Sequence, residues 1–384
     1  MTEGLNADLY GKLHRAVREG LFHDSRIQTV LPETAMILRC CIVNNMNAGK
    51  NKKQVYNRSR FLPYVHRDTV ILDTYSIGDL KTVVDVIKKE GINLLILNGG
   101  DGTLQTGITE LIKHLPHDKI PILLPLRGGT MNMVANNLGI RKSPIDTVRI
   151  IMKHINAFHN GVEQLSTIPL KILKIKDAEH GTRYGFTFSN GIVYKIQKEY
   201  YATGNPSFQT AANMTTTIIG NFILGTQKGK FFFEKIRAHI TIDGRVYPYN
   251  KTLLSVASVL QKLVLWFKPF YQPEKKGIDN FYFLSVSMNS FSIIANIRAL
   301  SNGRMLHEKA FNGVAGKVTI QSDGGYGIDG ELTDDGYTDV TIEEGPEVNF
   351  LVAPESVRTN MIGFTSRHWL NGNFIVNHTN SKSR

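Results

Sequence analysis

Three short loops in this sequence carry residue types suited to holding phosphate. Asn45-Met46-Asn47-Ala48-Gly49 follows the apolar run Met36–Val43. Gly99-Gly100-Asp101-Gly102-Thr103 follows Ile92–Leu97, and Arg127-Gly128-Gly129-Thr130-Met131-Asn132 follows Ile120–Leu126. Glycines let backbone N–H groups approach a phosphate with no Cβ in the way. A helix starting at Thr103 would aim its free N–H donors and its dipole at the same spot. A phosphate would repel Asp101, so the chemistry open to that residue is magnesium binding, direct or through water, or proton abstraction. Thr103 can cap the helix or donate to a phosphate, and Thr130 and Asn132 read either as capping residues or as nucleotide contacts. Taken singly, Gly-Gly-Asp-Gly also describes a tight strand-to-helix corner. Three such loops at one sheet edge favour a ligand site, because open parallel sheets bind ligands beyond the carboxyl ends of their strands. Lys50, Lys52 and Lys53 also fit a plain solvated run.

Those loops need a scaffold, and the first 165 residues supply one by alternating short apolar runs with helical spacing. Met36–Val43, Val70–Asp73, Ile92–Leu97 and Ile120–Leu126 read as buried strands. Asp79–Lys89, Leu104–Leu115, Thr130–Leu138 and Ile145–Phe158 read as helices, from apolar residues three and four apart. This alternation predicts a parallel sheet covered on both faces. After about residue 165 the texture changes to short alternating runs: Leu170–Lys176, Tyr184–Asn190, Arg237–Asp243, Thr252–Val259, Phe281–Met288, Lys317–Asp323 and Asp339–Glu344. Turn signals such as Asp243-Gly244 and Asp323-Gly324 punctuate them. An antiparallel β domain, a sandwich or a flattened barrel, is expected over 166–354, with helical pieces near Pro206–Leu224 and Phe291–Ala299.

The 384 residues allow two or three domains, and 42% hydrophobic with 20% charged residues is ordinary for a core-forming protein. The two cysteines, Cys40 and Cys41, are neighbours in an apolar run and cannot staple a fold, which points to buried thiols in a reducing compartment. The net charge of +12 favours an anionic partner. The first twenty residues have early acids and no apolar core of signal-peptide length. The longest apolar stretch, Leu253–Tyr271, is broken by Gln261, Lys262 and Lys268. A cytoplasmic protein, peripherally associated with membranes, is expected. No nucleic-acid recognition motif is present, and a homodimer is compatible with the sequence.

GGDGT after LLILN, followed by PLRGGTMNMVANNLGI, resembles the catalytic domain of the diacylglycerol kinases, shared with sphingosine and ceramide kinases and with soluble bacterial lipid kinases. The resemblance spans about residues 36–354. Asn45–Gly49 resembles that family's Asn-Pro-x-Ser-Gly loop, Thr74 matches its threonine after the second strand, and Asp329-Gly330-Glu331 matches its late Asp-Gly-Glu. The resemblance implies an N-terminal α/β nucleotide-binding domain (1–165) and a C-terminal β-sandwich domain (166–354), with the active site in the cleft between them. Residues 355–384 would return to the first domain.

It further implies phosphoryl transfer from ATP to the hydroxyl of a membrane lipid: diacylglycerol, a sphingoid base, ceramide or a related alcohol. Nucleotide contacts would come from Asn45, Gly49, Thr74, Gly99, Gly100, Asp101, Gly102, Thr103, Gly129, Thr130 and Asn132. Mg2+ would lie at Asp101, with Asp329 as the base assisted by Glu331. Two departures stand out. Met133 replaces an aspartate of the third loop, and Phe283 replaces an acid in Asp279-Asn280-Phe281-Tyr282-Phe283, which counts against the structural magnesium site of some bacterial relatives. GGDGT also occurs in NAD kinases, so a nucleotide kinase and a non-catalytic binding protein are the competing readings. Leu263–Tyr271 and Gly229–Phe233 mix aromatics with lysines and suit either a bilayer interface or the sandwich core.

Overall fold

The computed structural model describes residues 31, 37–54, 56–204, 207–263, 267–271, 280–297, 299, 302–304 and 309–358. The N-terminal run, Val264–Trp266, Asp279 and residues 359–384 lie outside them. The first half builds the expected α/β unit. Strands β1 (Cys40–Asn45), β2 (Val70–Thr74), β3 (Leu94–Gly99) and β4 (Ile122–Arg127) are parallel, in the order β4-β3-β1-β2. Every residue of β3 is buried, as a strand covered on both faces must be. Cys40 and Cys41 sit inside β1, and burial pushes both thiols up to about 12, so they act as small apolar residues.

Between these strands run α1 (Gly49–Gln54), α2 (Asp79–Glu90), α3 (Asp101–His114), α4 (Met133–Asn137) and α5 (Pro144–His159). Leu80, Val83, Val84 and Ile87 form the buried stripe of α2, the spacing read from the sequence. Two boundaries differ from expectation. Helix α3 begins at Asp101, with Gly100 as N-cap, so Thr103 lies inside the first turn. The helix read over Thr130–Leu138 shrinks to Met133–Asn137, because Asn132 takes a left-handed backbone (φ 52°) that ends the turn before it.

The second half is antiparallel. Its strands are β5 (Thr167–Asp177), β6 (Gly181–Gly185), β7 (Thr187–Gly191), β8 (Ile236–Ile242), β9 (Arg245–Val246), β10 (Lys251–Thr252), β11 (Leu254–Ser258), β12 (Phe281–Val286), β13 (Ala310–Ala315), β14 (Lys317–Asp323), β15 (Tyr326–Ile328), β16 (Glu331–Thr333) and β17 (Tyr337–Leu351). One sheet has the order β13-β12-β11-β7-β15-β16. It faces β5, β8, β14 and β17 across a core that includes Ile175, Ile240, Ile320 and Ile342 on one side and Phe188, Phe281, Phe283 and Ile328 on the other. Phe283 is fully buried there, one of the aromatics that fill the sandwich core.

Strand β17 was expected to stop at Glu344, before Gly345-Pro346. It continues through a register shift between Glu344 and Glu347, where a proline lacking N–H is tolerated. Its last residues reach β4, with Phe350 opposite Leu123, so among the described residues one eleven-stranded sheet runs from the α/β unit into the sandwich.

Helices α6 (Ile192–Ala202), α7 (Phe208–Ile223), α8 (Gln227–Phe232) and α9 (Ser290–Ala295) flank the sandwich around a third core that includes Ile218, Phe232 and Phe270. Phe270 is buried and stacks on Tyr282 at 5.3 Å, and Phe232 and Phe233 are buried. The described apolar residues of Leu263–Tyr271 and most of Gly229–Phe233 therefore pack inward, while Lys268 is exposed. Helix α10 (Glu355–Arg358) lies against the α/β unit: Arg141 N–H donates to Val357 O at 3.2 Å, and Val357 is buried in that unit's core. No helix among the described residues is long and apolar enough to cross a membrane.

Candidate active site

The three glycine-containing loops meet at the carboxyl ends of β1, β3 and β4. Gly129 N–H donates to Gly99 O at 2.8 Å, and the two chains approach so closely at Gly100 and Gly129 that a side chain on Gly129 would overlap Gly100. Asn132 stabilises its own turn. Its Oδ1 accepts from Gly129 N–H at 2.9 Å and its Nδ2 donates to Gly129 O at 2.8 Å. Asn45 Nδ2 donates to Thr103 Oγ1 at 2.8 Å, which leaves the Thr103 hydroxyl proton available at the first turn of α3. Gly49 lies against the Thr130 hydroxyl. Thr74 is buried at the end of β2 and turns inward, its hydroxyl reaching Asn44 O at 3.5 Å. It supports the first loop, since its carbonyl accepts from Met46 N–H at 2.9 Å.

Asp101 does something other than what its sequence context suggests. Its Oδ2 accepts from Met133 N–H at 2.9 Å and its Oδ1 from Val134 N–H at 3.0 Å. A carboxylate at the N-terminus of α4 satisfies two otherwise orphaned donors and complements the helix dipole. Asp101, expected from the sequence to hold Mg2+, gives one acceptor direction of each oxygen to the α4 amides and so latches the third loop to the second. Burial raises its carboxyl, against the lowering effect of those amides.

Asp329 and Glu331 arrive from the sandwich. Asp329 is buried in the β15–β16 turn with a left-handed backbone (φ 49°). Its Oδ2 accepts from Phe186 N–H at 2.8 Å, and its Oδ1 accepts from Thr187 N–H at 2.8 Å and from the Thr187 hydroxyl at 2.9 Å. A carboxylate offers about four acceptor directions, so one remains, on Oδ2. Burial first, and the Asp101 charge after the opposing Phe186 amide, push the Asp329 carboxyl up to about 7. Gly185 leaves the room for this arrangement, since any side chain there would overlap Asp329 Oδ2 and crowd Gln105 of α3.

Glu331 reaches the N-terminus of α3, where any side chain on Gly102 would overlap its carboxylate. Although the residue is exposed at the cleft mouth, the protein packed around its carboxyl partly desolvates it and raises it. The two late acids and the phosphate loops are thus brought together across the cleft.

Sequence reasoning missed two sets of residues here. Asn44, Asn51 and Asn98 form a buried network beneath the loops: Asn98 Nδ2 donates to Asn44 Oδ1 at 2.7 Å, and Asn51 Nδ2 donates to Asn45 O at 2.6 Å and Asn98 O at 3.1 Å. Their signal was available, since an asparagine closing a fully buried strand must find partners inside. Tyr200 and Tyr201, at the end of α6, also enter the cleft. Tyr201 lies over Gly330 beside Glu331, and the Tyr200 ring is buried near Thr130. Nothing in their local spacing marks them.

Residues 39–160 match the family described as the diacylglycerol kinase catalytic domain. The chain is 24% identical over 227 residues to the mitochondrial acylglycerol kinase of Mus musculus, an alignment covering 55% of this chain and 51% of that protein. Against its Homo sapiens counterpart it is 25% identical over 210 residues, 50% of this chain and 47% of that one. The chain spans about half the length of the curated relatives it matches. The fold resembles that of a diacylglycerol kinase from Bacillus anthracis, with TM-score 0.54 at 18% identity, covering 84% of this chain and all of that one. A second structure from that organism, provisionally assigned as a diacylglycerol kinase, gives TM-score 0.59 at 19% identity over 85% of this chain. The resemblance read from GGDGT and the third loop holds, and both loops fall inside the matched segment. Asp329 and Glu331 fall outside it, so their place in the site rests on geometry.

Proposed function

We propose that this chain is an ATP-dependent kinase that phosphorylates the hydroxyl of a membrane lipid. The names of its relatives put an acylglycerol ahead of a sphingoid base, ceramide or another alcohol as acceptor. The observation that carries the reading is Asp329: a buried carboxyl raised to about 7, with one open acceptor direction, set across the cleft from the phosphate loops. A base poised near the working pH combines the correct protonation state with driving force for proton transfer.

In this reading the N–H groups at Gly100–Thr103 and the α3 dipole bind the nucleotide phosphates, and Asn45 orients Thr103 toward them. Asp329 Oδ2 takes the proton of the lipid hydroxyl. The hydroxyl oxygen bonds to the γ-phosphorus as the bond to the β–γ bridging oxygen breaks, and ADP leaves with that electron pair. Mg2+ takes hard oxygen donors such as a carboxylate. Glu331, free of the amide contacts that occupy Asp101 and Asp329, is the residue placed to hold it. Bound there, Mg2+ would neutralise phosphate charge. Tyr201, above Gly330, borders the acceptor side.

The test is transfer from labelled ATP to a lipid panel in mixed micelles. One lipid class should be labelled. Labelling of NAD in place of any lipid would replace this reading with a nucleotide kinase, and nucleotide binding without any transfer would leave a non-catalytic binding protein.

A further inference from the structure

Exposed apolar side chains gather where the end of α7 meets the start of α9, with lysines nearby. At the end of α7, Ile223 and Leu224 are 62% and 80% exposed. Phe291, in the first turn of α9, is 69% exposed, yet its ring centroid lies 5.0 Å from that of Phe222. Phe222 in turn packs 4.3 Å from Phe233, and the Ser290 hydroxyl donates to Phe233 O at 3.2 Å. Phe291 therefore stands on a packed base at Phe222 and Phe233, and Ile223 and Leu224 follow Phe222 directly in the chain. Single exposed apolar residues need no explanation, but a cluster does.

Charge lies nearby. Lys235 Nζ donates to Ser287 O at 2.8 Å, and Ser287 N–H donates to Lys309 O at 2.8 Å, which ties both lysine segments to the strand end that leads into α9. Burial first, then the cations Lys309 and Lys251, push the Lys235 ammonium down, while the nearby Glu234 acts on Lys195 instead. Phe231 of α8, 56% exposed, borders a cavity of about 370 Å³ beside α6, together with Lys195 and Lys198.

We propose that this cluster is the face on which the protein docks to an anionic bilayer. Ile223, Leu224 and Phe291 enter the headgroup–acyl boundary, and Lys235, Lys251 and Lys309 meet the headgroups. The inference rests on the lipid-kinase reading, in which the substrate must be reached within a membrane. Aliphatic and aromatic tips flanked by lysines are the chemistry of the bilayer interface, and the net charge of +12 draws the chain to the same surface.

The test is co-sedimentation of the whole chain with phosphatidylcholine vesicles with and without phosphatidylserine. Leu224→Ser with Phe291→Ser should weaken partitioning at least tenfold. Lys235→Gln, Lys251→Gln and Lys309→Gln together should flatten its dependence on phosphatidylserine and on salt. Val162→Ser, equally exposed but after α5, should change neither. Retained lipid phosphorylation in detergent micelles would show the variants folded. Unchanged vesicle binding in the apolar variant would overturn the proposal, as would a shift from dimer to monomer with binding intact, which would make the cluster a self-interface. Vesicle binding lost on these substitutions, in a protein that phosphorylates no lipid, would keep the surface and sink the kinase reading.

Discussion

Replacing Asp329 with asparagine should leave a recognisable signature in both stability and activity. The buried carboxyl is raised from its ordinary 3.8 to about 7. At 1.36 kcal/mol per pH unit, that gap corresponds to about 4 kcal/mol. The sign follows from proton binding. Between these two values the folded protein holds the proton and the unfolded chain does not, so the stabilisation is full below 3.8 and is lost as pH rises through 7. Between pH 5 and pH 8 the wild type should lose about 3 kcal/mol relative to Asp329→Asn, whose amide does not titrate. The variant is less stable at low pH, because an amide nitrogen must face one of the donors at Phe186 or Thr187. The difference should shrink or reverse by pH 8. Urea unfolding of both proteins at several pH values measures the trend. The same variant should lose about 100- to 10,000-fold in kcat, the range for removal of a general base. A stability difference that stays flat from pH 5 to pH 8 would show that Asp329 does not titrate near neutrality, and unimpaired transfer would remove it as the base.

Asp101→Ala should loosen α4, costing about 2 kcal/mol net as two charge-assisted bonds to Met133 and Val134 vanish along with a buried charge, and should raise the KM for ATP at least tenfold. Asp101→Asn should recover part of both effects, and an unchanged KM would remove the latch from nucleotide binding. Gly102→Ala should reduce transfer strongly and weaken the apparent affinity for Mg2+ by displacing Glu331, and in a Glu331→Ala background it should add little. Additive losses in that double-mutant cycle would show that the two residues act separately.

The sequence by itself determined the α/β unit and the presence of a phosphate site. Strands such as Leu94–Gly99 are buried on both faces and so read as continuous apolar runs, and glycines at strand ends mark places where backbone must approach a ligand or another loop. It also marked the change to antiparallel strands near residue 165, through alternation and turn pairs. What it could not give was direction. Asp101 read as a metal ligand or base because a phosphate would repel it, but its contacts to Met133 and Val134 were not legible, since α4 begins beside it only once Asn132 has turned the chain left-handed. Helix α6 and its two tyrosines were invisible because their partners lie in other segments. The raised carboxyl of Asp329 depends on burial and on Asp101, 228 positions earlier in the chain (329 − 101). Residue type and local spacing set which groups can do chemistry. Burial and proximity set which of them carry a proton, and those arise only when β17 carries the α/β sheet into the sandwich and the two halves close on the cleft.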